Sequence, residues 1–76
     1  MERIKVFMLD LPDKVKGMTV YSNDQDGLPF FTIIINARMD ADTQHNTFIH
    51  EMKHINNYDF DSMIPADQIE VIRHLT

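Results

Sequence analysis

The sequence predicts an α+β fold, a small three-stranded antiparallel sheet followed by two helices in the order β-β-β-α-α. Three observations carry this expectation. Apolar runs rich in β-branched and aromatic residues fill much of residues 4–36. A polar loop ending in Gly27 separates the last two of them. After Asn36 the apolar spacing changes from the alternation of strands to the threes and fours of helices.

The first strand is expected over residues 4–9, stopping at the turn-prone Asp10-Leu11-Pro12-Asp13. Residues 18–22, Met-Thr-Val-Tyr-Ser, alternate like a half-exposed second strand. Asn23-Asp24-Gln25-Asp26-Gly27 reads as a solvated loop whose glycine accepts positive φ. Residues 29–36, Pro-Phe-Phe-Thr-Ile-Ile-Ile-Asn, form the strongest strand and complete a hairpin with the second. That third strand could offer an edge to an extended peptide, or could have both edges paired; the sequence leaves the two open.

Asp40 or Asp42 suits an N-cap, and Phe48, Met52 and Ile55 recur at helical spacing, so a first helix is expected over residues 43–55. Residues 56–62 read as a loop. Pro65 suits the first turn of a second helix, with Asp67 and Glu70 early and Arg73 and His74 late, matching the helix dipole. Ile69, Ile72 and Leu75 give it an apolar stripe.

The 76 residues are expected to form a single domain, 1–76, small enough that a bound metal would help it fold. There are no cysteines, which excludes disulfides and thiolate metal sites. The net charge of −5 argues against a phosphate-neutralising, nucleic-acid-binding surface. Neither a signal-peptide pattern nor an apolar run long enough for a membrane span is expected, so the reading is a cytoplasmic protein.

The chemistry is concentrated in His50-Glu51-Met52-Lys53-His54. Histidines four apart on a helix lie about 40° apart around the axis and one turn apart along it, so both imidazoles can reach one zinc ion. Glu51 lies about 100° from His50 around the axis, badly placed as an equal ligand but suited to act as general base on an attacking water. Such motifs also arise by chance on helix surfaces. Here the motif falls where Phe48, Met52 and Ile55 independently require a helix.

A hydrolytic zinc site needs a third protein ligand. Asp59, Asp61, Asp67, Glu70 and His74 are the candidates. Glu70 is preferred because it lies mid-helix between Ile69 and Val71, on the border of the apolar stripe. Asp59 and Asp61 remain alternatives that could fold back from the loop. His74, one turn beyond Glu70, could support the site or serve as a dipole cation. Tyr58 could stabilise an oxyanion, but is expected to be a half-buried packing residue.

Ile35-Asn36-Ala37-Arg38, residues 48–55, Asp59-Phe60, and Asp67-Gln68-Ile69-Glu70 with His74 together resemble the ImmA/IrrE family of zinc metallopeptidases, over residues 4–75 and in the family's order. The His-Glu-x-x-His element is shared by many zinc peptidases; its combination with the preceding strand and closing Ile-Glu is more specific. The resemblance implies His50, His54 and Glu70 as zinc ligands, Glu51 as general base, and a protein substrate of the helix-turn-helix repressor type encoded on phages or mobile elements. Larger members carry further helices and often an alanine after the third ligand, where this sequence has Val71 and runs to Thr76. The alternative expectation is a non-catalytic zinc-binding interaction module, a small mobile-element inhibitor or antitoxin-like partner that retains the motif.

Overall fold

The computed structural model describes residues 3–68. Four strands, β1 (Arg3–Leu9), β2 (Gly17–Asn23), β3 (Pro29–Asn36) and β4 (Ile64–Pro65), form one sheet in the order β1-β3-β2-β4. A helix, α1 (Ala41–Asn56), packs on one face, and short 3-10 turns occupy Phe60–Ser62 and Ala66–Gln68.

This corrects the expected fold. The β2–β3 hairpin is antiparallel as predicted, but β1 pairs with β3 in parallel and β4 with β2 in parallel, so the sheet is mixed. The reason lies in β3. Residues 31–36 are buried whichever way their side chains point, which is the property of a central strand covered on both faces. A strand of that kind takes neighbours on both sides, and β1 fills the side that β2 leaves open. Both edges of β3 are therefore occupied, and it is not available to an added peptide strand.

The expected second helix is also corrected at its start. Pro65 lies in β4, against Tyr21, where a strand at the sheet's edge tolerates its missing N–H. Ala66–Gln68 form a 3-10 turn, and α1 is the one α-helix among the described residues. The remainder of that predicted helix, with Glu70 and His74, lies outside the described residues.

Phe31, Ile33 and Ile35 face α1 and form a core with Ile55 and Met63, against which Tyr21, Phe48 and Met52 pack. Each fully buried side chain of this size contributes about 1.5–3 kcal/mol. Val20 and Ile34 face the other way and are covered by Leu9, Leu11, Met18 and Ala66. Between Met63 and Ala66 the chain thus passes around the β2 edge from one face to the other.

Asn36, fully buried at the end of β3, fastens the β1–β2 connection. Its amide donates to the carbonyls of Leu11, Pro12 and Val15, and its Oδ1 accepts from the amides of Leu11 and Arg38. At Gly17, a Cβ would stand 2.6 Å from the Thr47 methyl and 2.8 Å from the Ile34 carbonyl oxygen. Only glycine permits α1 to approach β2 this closely.

Candidate metal centre

The helix begins at Asp40, whose backbone is extended as an N-cap requires. Its carboxyl is held below the usual carboxylate range, chiefly by the Thr43 side chain, although no contact reaches full capping geometry. From this start, residues four apart point at the sheet: Thr47, Glu51 and Ile55 are buried. His50 and His54 lie on the flank of that stripe, His50 exposed and His54 half-buried.

The two imidazoles converge. His50 Nε2 and His54 Nε2 are 3.1 Å apart, with the rings edge-on at 90°. Two nitrogens on one tetrahedral zinc ion, each about 2.0–2.1 Å from it, would be separated by about 3.3 Å. The observed spacing needs only a few tenths of an ångström of adjustment. One ligand atom from each of His50, Glu51 and His54 lies within 4.8 Å of the others, so these three form a group able to hold a metal ion.

The turn after α1 orients His54. Asn57 ends the helix, and Tyr58 takes a left-handed conformation, φ 51°, which is uncommon for a large side chain. The reversal returns the Asp59 amide to the His54 carbonyl at 2.9 Å. Asp59 Oδ2 then lies 3.0 Å from His54 Nδ1 and accepts a hydrogen bond from the Ser62 hydroxyl, also at 3.0 Å. A carboxylate on Nδ1 fixes the tautomer with the proton there, leaving Nε2 as the lone pair that faces His50. Asp59, an alternative third ligand by sequence, stands behind the His54 ring instead and outside the three-residue group. Asp61 lies exposed on the 3-10 turn and outside the three-residue group. Tyr58 is 53% exposed, contrary to the expected half-buried packing role.

Glu51 is only 7% exposed. Its Oε1 accepts a hydrogen bond from the Thr19 hydroxyl at 2.8 Å, inside the helix–sheet interface. It also lines an open cleft of about 430 Å³ with His50, Lys16, Gly17, Thr43, Asn46 and Thr47. One carboxylate oxygen is therefore engaged by the fold, leaving Oε2 as the oxygen that can serve the cleft. Sequence reading missed Thr19; the only signal for it was its place on the half-buried alternation of β2.

Comparison with family models, with curated proteins and with solved structures finds no match for this chain. No helix among the described residues is long and apolar enough to cross a membrane.

Proposed function

We propose that this chain is a zinc-dependent peptidase acting on a protein substrate. The observation that supports it most is the 3.1 Å convergence of the His50 and His54 Nε2 atoms, with Asp59 behind one ring. Two imidazoles beside a carboxylate that can act as base suit a hydrolytic zinc ion, which needs no redox chemistry.

In this reading His50 and His54 hold the ion, and Glu70 supplies the third donor, an assignment that rests on the family resemblance. When bound, zinc polarises the scissile carbonyl and makes water nucleophilic near neutral pH. Asp59 fixes the His54 ring so that its Nε2 is ready as a donor. Thr19 holds Glu51 so that Oε2 faces the cleft, where it takes the proton of the attacking water and passes it to the leaving amine. The substrate lies in the cleft, whose volume falls within the range of ordinary ligand sites. A helix-turn-helix repressor is the first substrate to try, again on the resemblance.

Burial of Glu51 against Thr19 favours a second reading, in which the carboxylate serves the fold and the protein is a non-catalytic zinc-binding module. The two diverge in one experiment. Zinc-equilibrated protein is incubated with a helix-turn-helix repressor, and fragments are read by mass spectrometry. The peptidase reading expects a discrete cut that disappears with chelator. Binding of the repressor without any cut, in protein shown to hold zinc, supports the module.

A further inference from the structure

The cleft beside Glu51 carries opposite charges at its two ends. Thr19 stands opposite Glu51, hydrogen-bonded to it, and Gly17 stands opposite Thr47. Strand β2 and helix α1 therefore run in the same direction along the cleft. Lys16 also lines it, one residue beyond Gly17. Its carbonyl accepts from the Asn36 amide at 2.9 Å, which continues the β2–β3 ladder by one residue and fixes its backbone. At about 3.3 Å per extended residue, the Lys16 backbone lies about 10 Å along the cleft from the level of Thr19 and Glu51.

Among the described residues that line the cleft, Lys16 is the one lysine or arginine and Glu51 the one carboxylate. Arg3 and Arg38 each take an aspartate, whereas no carboxylate of the described residues pairs with the exposed Lys16 ammonium. At the Lys16 end, Thr43 and Asn46 of α1 add only neutral hydrogen-bonding groups. One ammonium with neutral neighbours matches a singly charged carboxylate and would leave the second charge of a phosphate uncompensated.

We propose that Lys16 is a recognition residue of the substrate site, holding a carboxylate of the bound peptide about three extended residues from the scissile bond. An acidic residue next to the cut would face Glu51 and be repelled, so the two ends of the cleft together set its position. The carboxylate comes from an Asp or Glu side chain or from the peptide's own C-terminus. The inference rests on the peptidase reading for the cut, while the binding of a carboxylate in the cleft can be read without it.

Three peptides test the binding: acetyl-Ala-Ala-Glu-Ala-Ala-amide, its Gln counterpart, and the Gln peptide with a free C-terminus. Titrations are followed by NMR through the backbone amides of Gly17, Asn46 and Thr47 in isotope-labelled protein. A carboxylate-bearing peptide is expected to bind about fivefold more tightly than the Gln amide, the scale of a favourable exposed ion pair. A gain with the Glu peptide assigns a side chain and a gain with the free acid assigns the chain end; either supports the proposal. Lys16→Ala should abolish the gain, Lys16→Arg should keep it, and Lys16→Glu should make the Gln amide the tighter ligand. Equal binding of all three peptides, or a gain that Lys16→Ala retains, overturns the proposal. Zinc-equilibrated protein is then given longer peptides with Glu at successive positions, and the cuts are read by mass spectrometry. Cuts that favour Glu about three residues away support both readings. Cuts indifferent to the position of Glu overturn the role of Lys16 and leave the peptidase standing. Carboxylate binding that depends on Lys16, with no cut in any peptide, supports the carboxylate site and counts against the peptidase.

Discussion

The Thr19 hydroxyl donates to Glu51 Oε1 at 2.8 Å, tying the middle of α1 to the middle of β2 within the protein interior. Thr19 is itself 1% exposed, so its side of the bond is shielded from water. Thr19→Val keeps the shape and removes the donor, leaving a buried carboxylate oxygen unsatisfied. The expected loss is about 1–3 kcal/mol of unfolding free energy, measured by urea denaturation. Zinc affinity should change little, because neither histidine touches Thr19. An unchanged stability would show that Glu51 finds another partner.

Asp59 Oδ2 lies 3.0 Å from His54 Nδ1, so in the proposed zinc site it would act through His54 and not on the ion. Asp59→Asn and Asp59→Ala should weaken zinc binding by about 10–100-fold, the usual effect of losing a partner behind a ligating histidine. Competition with a chromophoric chelator reads this directly. If either variant loses zinc as completely as His54→Ala, Asp59 is itself a ligand and the geometry described for its carboxylate rearranges on binding.

The positions of three strands and the helix were legible in residues 4–56, the sheet they build was not, and the difference has a physical cause. Strand positions follow from alternation, so β2, β3 and the helix appear within a residue or two of where the pattern puts them. Strand partners do not follow, because alternation says which face is buried and nothing about the neighbour. The run from Phe31 to Ile35, with Phe31, Ile33 and Ile35 on one face and Ile34 beside Thr32 on the other, was the one available sign that β3 is central, and hence that β1 could be its second neighbour. At the site, the His50–His54 spacing carried the convergence of the rings, because four residues make one turn. The roles of Asp59 and Thr19 depend on a left-handed Tyr58 and on the depth at which α1 sits, neither of which a linear pattern encodes. Pro65 misled because an edge strand accepts it as readily as a first helical turn does.

Gly17 sets that depth. Gly17→Ala would place a methyl 2.6 Å from Thr47 Cγ2 and 2.8 Å from the Ile34 carbonyl oxygen, and the second contact is backbone that cannot swing away. Strand β2 must move away from β3 at this point, and Thr47 of the helix must give as well, at a cost of about 1–3 kcal/mol typical of overpacking. Thermal melting measures it. The cleft residues His50 and Glu51 should also shift, visible as weakened zinc binding in a variant that still folds.

The loop of Asp24 is organised, contrary to a merely solvated run. Its Oδ1 accepts from the amides of Asp26 and Leu28, both at 2.9 Å, and its Oδ2 pairs with Arg3 of β1. The carboxyl is held below its usual value of 3.8, first by the Leu28 amide. A folded-state value below the unfolded one adds stability that is present above about pH 4 and lost as pH falls through the folded value. Melting temperature should therefore fall more steeply below pH 4 in the wild type than in Asp24→Asn. Parallel pH profiles would show that the interaction contributes nothing.

Glu51→Gln decides between enzyme and module. Glutamine keeps the length and an oxygen to accept from Thr19, so the helix–sheet contact and the fold should survive with little change in melting temperature. The two imidazoles are untouched, so zinc should remain at wild-type affinity, measured by elemental analysis and chelator competition. What glutamine cannot do is accept a proton from water. Hydrolysis of a substrate should therefore fall by about 10²–10⁴-fold, the usual scale for a general base. His54→Ala differs on both counts, losing zinc and with it about 2.7 kcal/mol of the stability that metal at 100 times its dissociation constant provides. Should Glu51→Gln lose zinc as His54→Ala does, Glu51 is a ligand, as its place within 4.8 Å of both histidines allows, and the base must be sought elsewhere. Should it keep zinc, melt as the wild type does, and retain every cellular effect, the carboxylate serves the fold through Thr19 and the peptidase reading fails.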